Sequence, residues 1–201
     1  MKSREGTVVD ADELMAGMFE EAKRSTEALG KNDYIGEEAG LLYEMIGMGA
    51  LKYFILKVDP KKNMLFNPNE SIDFNGNTAP FIQYTYARTA SLLRKATENG
   101  LEWQSAISDT FIPEMQEISL LHSIYEFPQV IKLAGDTLSP ALIANYVYEL
   151  GKAFNRFYQE IPIFKEQDSE KQFFRLQLSK FLAITIKNGM SLLGIGVPER
   201  M

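Results

Sequence analysis

The chain contains no cysteine and only one histidine, His122, among its 201 residues. Without cysteine it cannot form a disulfide bond, a thiolate metal site or a cysteine nucleophile. A single histidine also leaves histidine-based zinc sites and Ser-His-Asp chemistry without the parts they need. These absences exclude zinc proteins and triad hydrolases from the candidate functions.

Long apolar segments are also missing. No run of about 18 apolar residues occurs, and residues 1–10 lack the apolar core of a signal peptide. We therefore expect a soluble, cytoplasmic protein with no membrane partner. The composition is otherwise ordinary, since 45% hydrophobic and 24% charged residues are typical of a globular domain.

The chain lacks a basic excess, because its formal net charge is −6. Nucleic-acid-binding domains usually carry a basic surface, so this value argues against that class. Local charge matters more than the total, however, and the 21 Lys and Arg residues could be gathered on one face. If the chain binds nucleic acid, we expect such a face in the structure.

The stretch 75–95 predicts one long helix. Thr78 is a suitable N-cap, Pro80 is tolerated in the first turn, and no further Gly or Pro occurs before Gly100. Spacing alone leaves two interpretations open for one face of this helix: it packs into a core, or it stacks on a ligand. The residues on that face are Phe81, Tyr84, Arg88 and Leu92.

Other helix signals extend along the chain. Asp10 predicts the start of a helix that ends near Gly30, and a second helix is predicted from Glu37 to Lys52. The β-prone residues 53–58 and 64–66 could form a small hairpin around a turn.

Four more helices are predicted after the long one: 113–125, 129–134, one that starts at Ser139 and Pro140, and one from Asp168 to about Gly194. The third carries an apolar seam at positions 143, 147, 150, 154 and 157. The fold class we predict is mainly α, an antiparallel helical bundle with a small α(+β) N-terminal appendage.

Residues 73–88, DFNGNTAPFIQYTYAR, resemble the segment of arginyl-tRNA synthetases that enters the anticodon-binding domain, whose usual form is close to FxGNT-G/A-PY-x-QYAHAR. Three further pieces match in the same order: MKSREGTVV at 1–9, ANYVYELGKAFNRFYQEIPI at 144–163 and LLGIGVPERM at 192–201. The resemblance covers essentially the whole chain and implies the C-terminal part of this class I enzyme. Residues 1–72 would then be a remnant of the catalytic region, and 73–201 a DALR-type anticodon-binding domain.

The resemblance implies two sets of functional residues. Lys2, Ser3 and Arg4 correspond to the KMSKS-type loop, which closes over ATP and stabilises charge on the leaving pyrophosphate. A pocket around anticodon bases, including the middle cytosine, would be formed by Phe81, Tyr84, Tyr158 and Met201.

Three polar residues are added on physical grounds. RNA loop bases are recognised by aromatic stacking together with hydrogen bonds to base edges. Arg88 lies one turn from Tyr84, and Asn155 and Arg156 lie close to Tyr158 in the sequence. We therefore include Arg88, Asn155 and Arg156 among the predicted tRNA-binding residues.

The resemblance implies an arginine–tRNA ligase, which joins arginine to tRNA through an adenylate formed from Mg-bound ATP. Its partners would be arginine tRNA and the N-terminal catalytic part of the same chain, in a monomeric enzyme. We expect this chain alone to be inactive and to bind no cofactor or metal. Two alternatives remain: a helical protein-interaction module that does not bind tRNA, or a class I synthetase for another amino acid.

The sequence departs from the family pattern at three places. Phe81 replaces the usual tyrosine, which removes a hydroxyl but keeps the ring. Thr85 and Tyr86 stand where alanine and histidine are common in the family, so a hydrogen bond that the family makes at these positions can be altered in this chain. Asn67 and Asn69 occupy positions that aspartate often holds, which puts an ion pair near the domain linker in doubt.

Overall fold

The computed structural model describes residues 10–28, 30, 34–59, 61–101, 103 and 106–201. In that part of the chain all regular structure is helical, which confirms the mainly α prediction. The helices are α1 (Ala11–Ala28), α2 (Glu37–Leu56), α3 (Pro68–Ser71), α4 (Ala79–Glu98), α5 (Met115–Tyr125), α6 (Phe127–Thr137), α7 (Pro140–Glu160) and α8 (Ser169–Leu192).

Local signals fix the starts of the helices. Thr78 caps α4, because its Oγ1 accepts a hydrogen bond from the backbone N–H of Phe81 at 3.4 Å. Asp168 caps α8 in the same way, and its Oδ1 accepts from the N–H of Glu170 at 2.9 Å. The N-cap predicted at Thr78 and the helix start predicted near Asp168 are therefore confirmed. Ser139 precedes α7 as predicted, but its side chain makes no capping hydrogen bond.

The predicted hairpin is wrong. The β-prone residues from Tyr53 to Leu56 continue α2, and the described residues 61–67 contain no strand. Tertiary packing overrides the local propensity here, because Tyr53 is only 1% exposed and its hydroxyl lies 2.8 Å from the carbonyl oxygen of Ala144 in α7. The helix gains more from this buried contact than an isolated hairpin would offer.

Two hydrophobic clusters form the interior. The smaller one joins α1, residues 39–50 of α2 and Ile72, whereas the larger one lies among α4, α5, α6, α7 and α8. The predicted seam of α7 is confirmed, since none of its five residues is more than 8% exposed. Tyr53 of α2 belongs to the larger cluster, and the proposed domain boundary at residues 72 and 73 stays a prediction.

A buried cluster of charges joins α5 to α8. The guanidinium of Arg175 lies 2.6 Å from Oε1 of Glu117, 2.6 Å from Oε2 of Glu166 and 3.3 Å from Oε2 of Glu114. The side chains of Arg175 and Glu117 are 2% and 0% exposed. Since neither charge can reach water, each depends on the other for compensation.

Among the described helices, α2 alone is long and apolar enough to span a membrane by length and composition. Core helices of soluble proteins can have the same length and apolar composition, and α2 packs against α1 and α4.

Candidate nucleic-acid interface

One groove of the described structure collects most of the predicted tRNA-binding residues. It lies between α4, the end of α7 and the C-terminal residues, with a volume of about 360 Å³. We call it the aromatic–basic groove. Its functional side chains are Tyr84, Arg88, Ser91, Arg94, Lys95, Tyr158, Phe164, Arg200 and Met201.

Arg88 lies at the centre of the groove between two tyrosine rings. Its Cζ is 4.8 Å from the ring centroid of Tyr84 and 5.8 Å from that of Tyr158. Both distances fall within the range of cation–π attraction. Because the two contacts come from different helices, they hold the guanidinium and the rings in a fixed mutual arrangement.

Asn155 lies behind this arrangement and is not part of the groove lining. Its Oδ1 accepts a hydrogen bond of 2.7 Å from Nη1 of Arg88, and its Nδ2 donates one of 3.0 Å to Oγ1 of Thr85. Thr85 in turn donates to the carbonyl oxygen of Phe81 at 2.9 Å. Both ends of the Asn155 amide are therefore engaged inside the protein, where they fix the direction of Arg88.

Two other predicted residues also lie outside the groove. Phe81 points towards α7, and its ring centroid is 5.3 Å from that of Tyr148. Arg156 faces the opposite side of α7, where its Nε donates to Oε1 of Glu160 at 2.9 Å and its side chain is 79% exposed. The reason is helical geometry, since successive residues point about 100° apart and neighbours in sequence face different surfaces.

The groove has the local positive charge expected of a nucleic-acid-binding surface, although the net charge of the chain is negative. Arg88, Arg94, Lys95 and Arg200 line it, and none of the described lining residues is acidic. The overall charge of −6 is therefore carried elsewhere on the surface. A concave site with four cationic and no acidic side chains attracts phosphate groups.

The C-terminal residues are docked. Nζ of Lys52 donates to the carbonyl oxygen of Gly194 at 2.7 Å, and Nε2 of the buried Gln83 donates to that of Gly196 at 2.8 Å. These contacts come from α2 and α4 and direct the chain end towards the groove. In the described part of the chain, Arg200 makes no hydrogen bond or ion pair, so its guanidinium remains available to a ligand.

Several lining residues were missed by the sequence analysis. Ser91 and Lys95 continue the helical spacing of Tyr84 and Arg88 along α4. Extending the predicted face of this helix by two turns would therefore have identified them. Phe164 lies in the connection between α7 and α8, where no periodic signal exists; its ring is 5.1 Å from Nζ of Lys95. The predicted loop residues Lys2, Ser3 and Arg4 lie outside the described residues.

Comparison with known proteins gives one family and a consistent set of relatives. A family model described as the DALR anticodon binding domain matches residues 82–201. An arginine–tRNA ligase of Parabacteroides distasonis is 54% identical over 100% of this chain and 34% of its own length. One of Flavobacterium psychrophilum is 56% identical over 100% of this chain and 33% of its own length. The chain thus spans about a third of the length of the curated relatives it matches.

The backbone is similar to solved structures of the same kind. Thermus thermophilus arginyl-tRNA synthetase superposes with a TM-score of 0.87 and 27% identity, over 98% of this chain and 33% of that one. Arginyl-tRNA synthetase from Plasmodium falciparum gives a TM-score of 0.84 and 26% identity, over 96% and 34%.

Proposed function

The chain belongs to the DALR anticodon-binding domain family, and from that premise we propose that it binds the anticodon loop of an arginine tRNA in the aromatic–basic groove. The observation that carries this proposal is the placement of Arg88 between Tyr84 and Tyr158, inside a groove that has four cations and no acidic lining residue. Unstacked RNA bases are bound by this combination of rings and guanidinium groups.

Each part of the groove has a separate physical task. Tyr158 is 39% exposed and offers a ring surface to a base, and one such stack contributes about 1–3 kcal/mol. Arg88 presents N–H donors that can reach the acceptor atoms on a base edge. Arg94, Lys95 and Arg200 surround that position and neutralise the phosphates of the flanking nucleotides.

Met201 is the C-terminal lining residue of the groove. Met201 also packs against the smaller hydrophobic cluster, so it is partly held by the folded body and partly borders the groove. A flexible, polarizable side chain can adapt to the face of a base. In the resemblance Met201 belongs to a pocket around anticodon-loop bases that include the middle cytosine, which is the base we propose for the groove.

The whole protein's activity is a further part of the proposal. As the tRNA-recognition part of an arginine–tRNA ligase, the chain would act with a nucleotide-binding catalytic part to form arginyl-tRNA from arginine, ATP and tRNA. Lys2, Ser3 and Arg4 would contact the phosphates of Mg-bound ATP there. We propose a monomeric, cytoplasmic enzyme, and we expect this chain alone to catalyse no arginine-dependent exchange of pyrophosphate into ATP.

A binding titration tests the proposal. The chain is titrated with an arginine tRNA and with the same tRNA changed at the middle anticodon base, each at two salt concentrations. We expect binding that weakens with salt and a loss of about 1–3 kcal/mol on changing the base. Binding that ignores the base would limit the groove to phosphate contacts. A chain that binds no tRNA but binds a protein without salt dependence would instead support a helical interaction module.

A further inference from the structure

The C-terminal segment, residues 194–201, reaches the aromatic–basic groove without any regular structure of its own. After α8 it reverses at Gly194, whose φ of +67° is a left-handed conformation that favours glycine. It then crosses α2 and α4 and delivers Arg200 and Met201 to the groove. An irregular chain end frays unless side chains of the folded body hold it.

Tyr86 and Arg94 hold the segment next to the groove. The hydroxyl of Tyr86 donates a hydrogen bond of 2.7 Å to Oε1 of Glu199, and Nη1 of Arg94 donates one of 3.0 Å to the carbonyl oxygen of Glu199. Glu199 directly precedes the two groove residues, so its position sets theirs. Its side chain is 61% exposed, and its only other cationic neighbour among the described residues is Lys187 at 3.8 Å.

Tyr86 is suited to this contact because it is already fixed. Its side chain is 6% exposed in the larger core, so its hydroxyl has one direction and loses little conformational freedom when it donates. Burial raises the pKa of Tyr86 well above its ordinary value, with the hydrogen bond to Glu199 as a second cause. The hydroxyl therefore keeps its proton, and its role as donor, at neutral pH.

We propose that Tyr86 is a positioning residue for base recognition: through its hydrogen bond to Glu199 it holds Arg200 and Met201 in the aromatic–basic groove. This inference rests on the proposed function of the groove. Tyr86 does not line the groove and contacts no base; it acts only through the C-terminal segment. Removal of its hydroxyl should therefore weaken binding only while the side chains of residues 200 and 201 are present.

The test is a double-mutant cycle on binding of an anticodon stem-loop RNA with the cognate middle base. Tyr86→Phe keeps the buried ring and removes only the hydroxyl. We expect it to weaken binding about threefold to tenfold, the range for one hydrogen bond. In a chain that carries Arg200→Ala and Met201→Ala, the same substitution should change binding by less than about twofold, because nothing remains to be positioned.

A purely structural role for Tyr86 predicts a different outcome of the double-mutant cycle. The loss caused by Tyr86→Phe would then be equal in both backgrounds, and that result would overturn the inference. Unchanged binding by Tyr86→Phe in the otherwise native chain would also overturn it. Tyr125→Phe is the matched control, because Tyr125 is 72% exposed on α5 and contributes nothing to the groove.

Substitutions at Glu199 give an independent check that leaves α4 intact. Glu199→Ala should reproduce the loss seen with Tyr86→Phe, even if the latter folds poorly. Glu199→Gln keeps the oxygen that accepts from Tyr86 and should restore binding to within about twofold of the native chain. Failure of both expectations would contradict the inference. If the native chain itself does not discriminate the middle base, the proposed function fails and this inference fails with it.

Discussion

Nη1 of Arg88 and Oδ1 of Asn155 lie 2.7 Å apart, and this hydrogen bond is one of two that join Asn155 of α7 to α4. We expect Asn155→Ala to weaken binding of an arginine tRNA about threefold to tenfold, because Arg88 then loses one of the contacts that fix its direction. Titration with the cognate and base-changed tRNAs measures the effect, and discrimination between them should fall in parallel.

Arg156→Ala is the matched control on the same helix. Arg156 pairs with Glu160 outside the groove, so its removal should leave the affinity within about twofold of the native value. A larger effect for Arg156 than for Asn155 would mean that RNA contacts the other side of α7.

Substitutions at Tyr158 and Phe81 test which of the two rings stacks on a base. Tyr158→Leu should cost about 1–3 kcal/mol of binding free energy, the contribution of one aromatic stack. Phe81→Leu should lower thermal stability instead, because Phe81 packs against Tyr148 and lies outside the groove lining. Binding titrations and thermal unfolding of both variants separate the two effects. The resemblance includes Phe81 in the pocket, and a loss of base discrimination in Phe81→Leu would support that assignment.

Arg175→Met should destabilise the fold strongly. The substitution leaves the carboxylate of Glu117, which is 0% exposed, without its cation, and breaking a buried pair in this way costs about 3–5 kcal/mol. Denaturant unfolding gives the change in the free energy of unfolding. Arg156→Met provides the surface comparison, with an expected cost of about 0–1 kcal/mol. Equal costs for the two variants would contradict a stabilising role for the buried cluster.

Stability should fall at alkaline pH. Burial is the main cause that raises the pKa of Tyr53, Tyr86 and Tyr146 above the ordinary value of 10.0. Above about pH 10 the unfolded chain has lost protons from these hydroxyls while the folded chain retains them, so the free energy of unfolding decreases as pH rises. Denaturant unfolding between about pH 9 and about pH 11 measures this decrease.

Tyr146→Phe should make that decrease smaller, because one of the three hydroxyls with a raised pKa is removed. In a pH titration of the native chain followed by tyrosinate absorbance, some tyrosines should also ionise at a higher pH than the exposed tyrosines. A free energy of unfolding that stays constant up to about pH 11 would contradict the expectation.

Local features of the fold were predictable from the sequence. The caps at Thr78 and Asp168 and the apolar seam of α7 depend on residues within one or two helical turns, so a short window contains the whole signal. Family membership was likewise carried by contiguous motifs, above all residues 73–88 and the PERM ending. The hairpin prediction failed because Tyr53 and its partner Ala144 are separated by 91 positions.

The functional arrangement required the tertiary structure. The sequence by itself determined which residue types are present on α4 and α7, namely rings, an arginine and an asparagine. Only the packing of the helices decided that Arg88 lies between Tyr84 and Tyr158, that Asn155 supports it from behind, and that Arg156 faces away. The contact between Tyr86 and Glu199 spans 113 positions and has no local signature. Side-chain direction relative to a distant element depends on how whole helices rotate and pack, and the same helical periodicity is compatible with many such rotations.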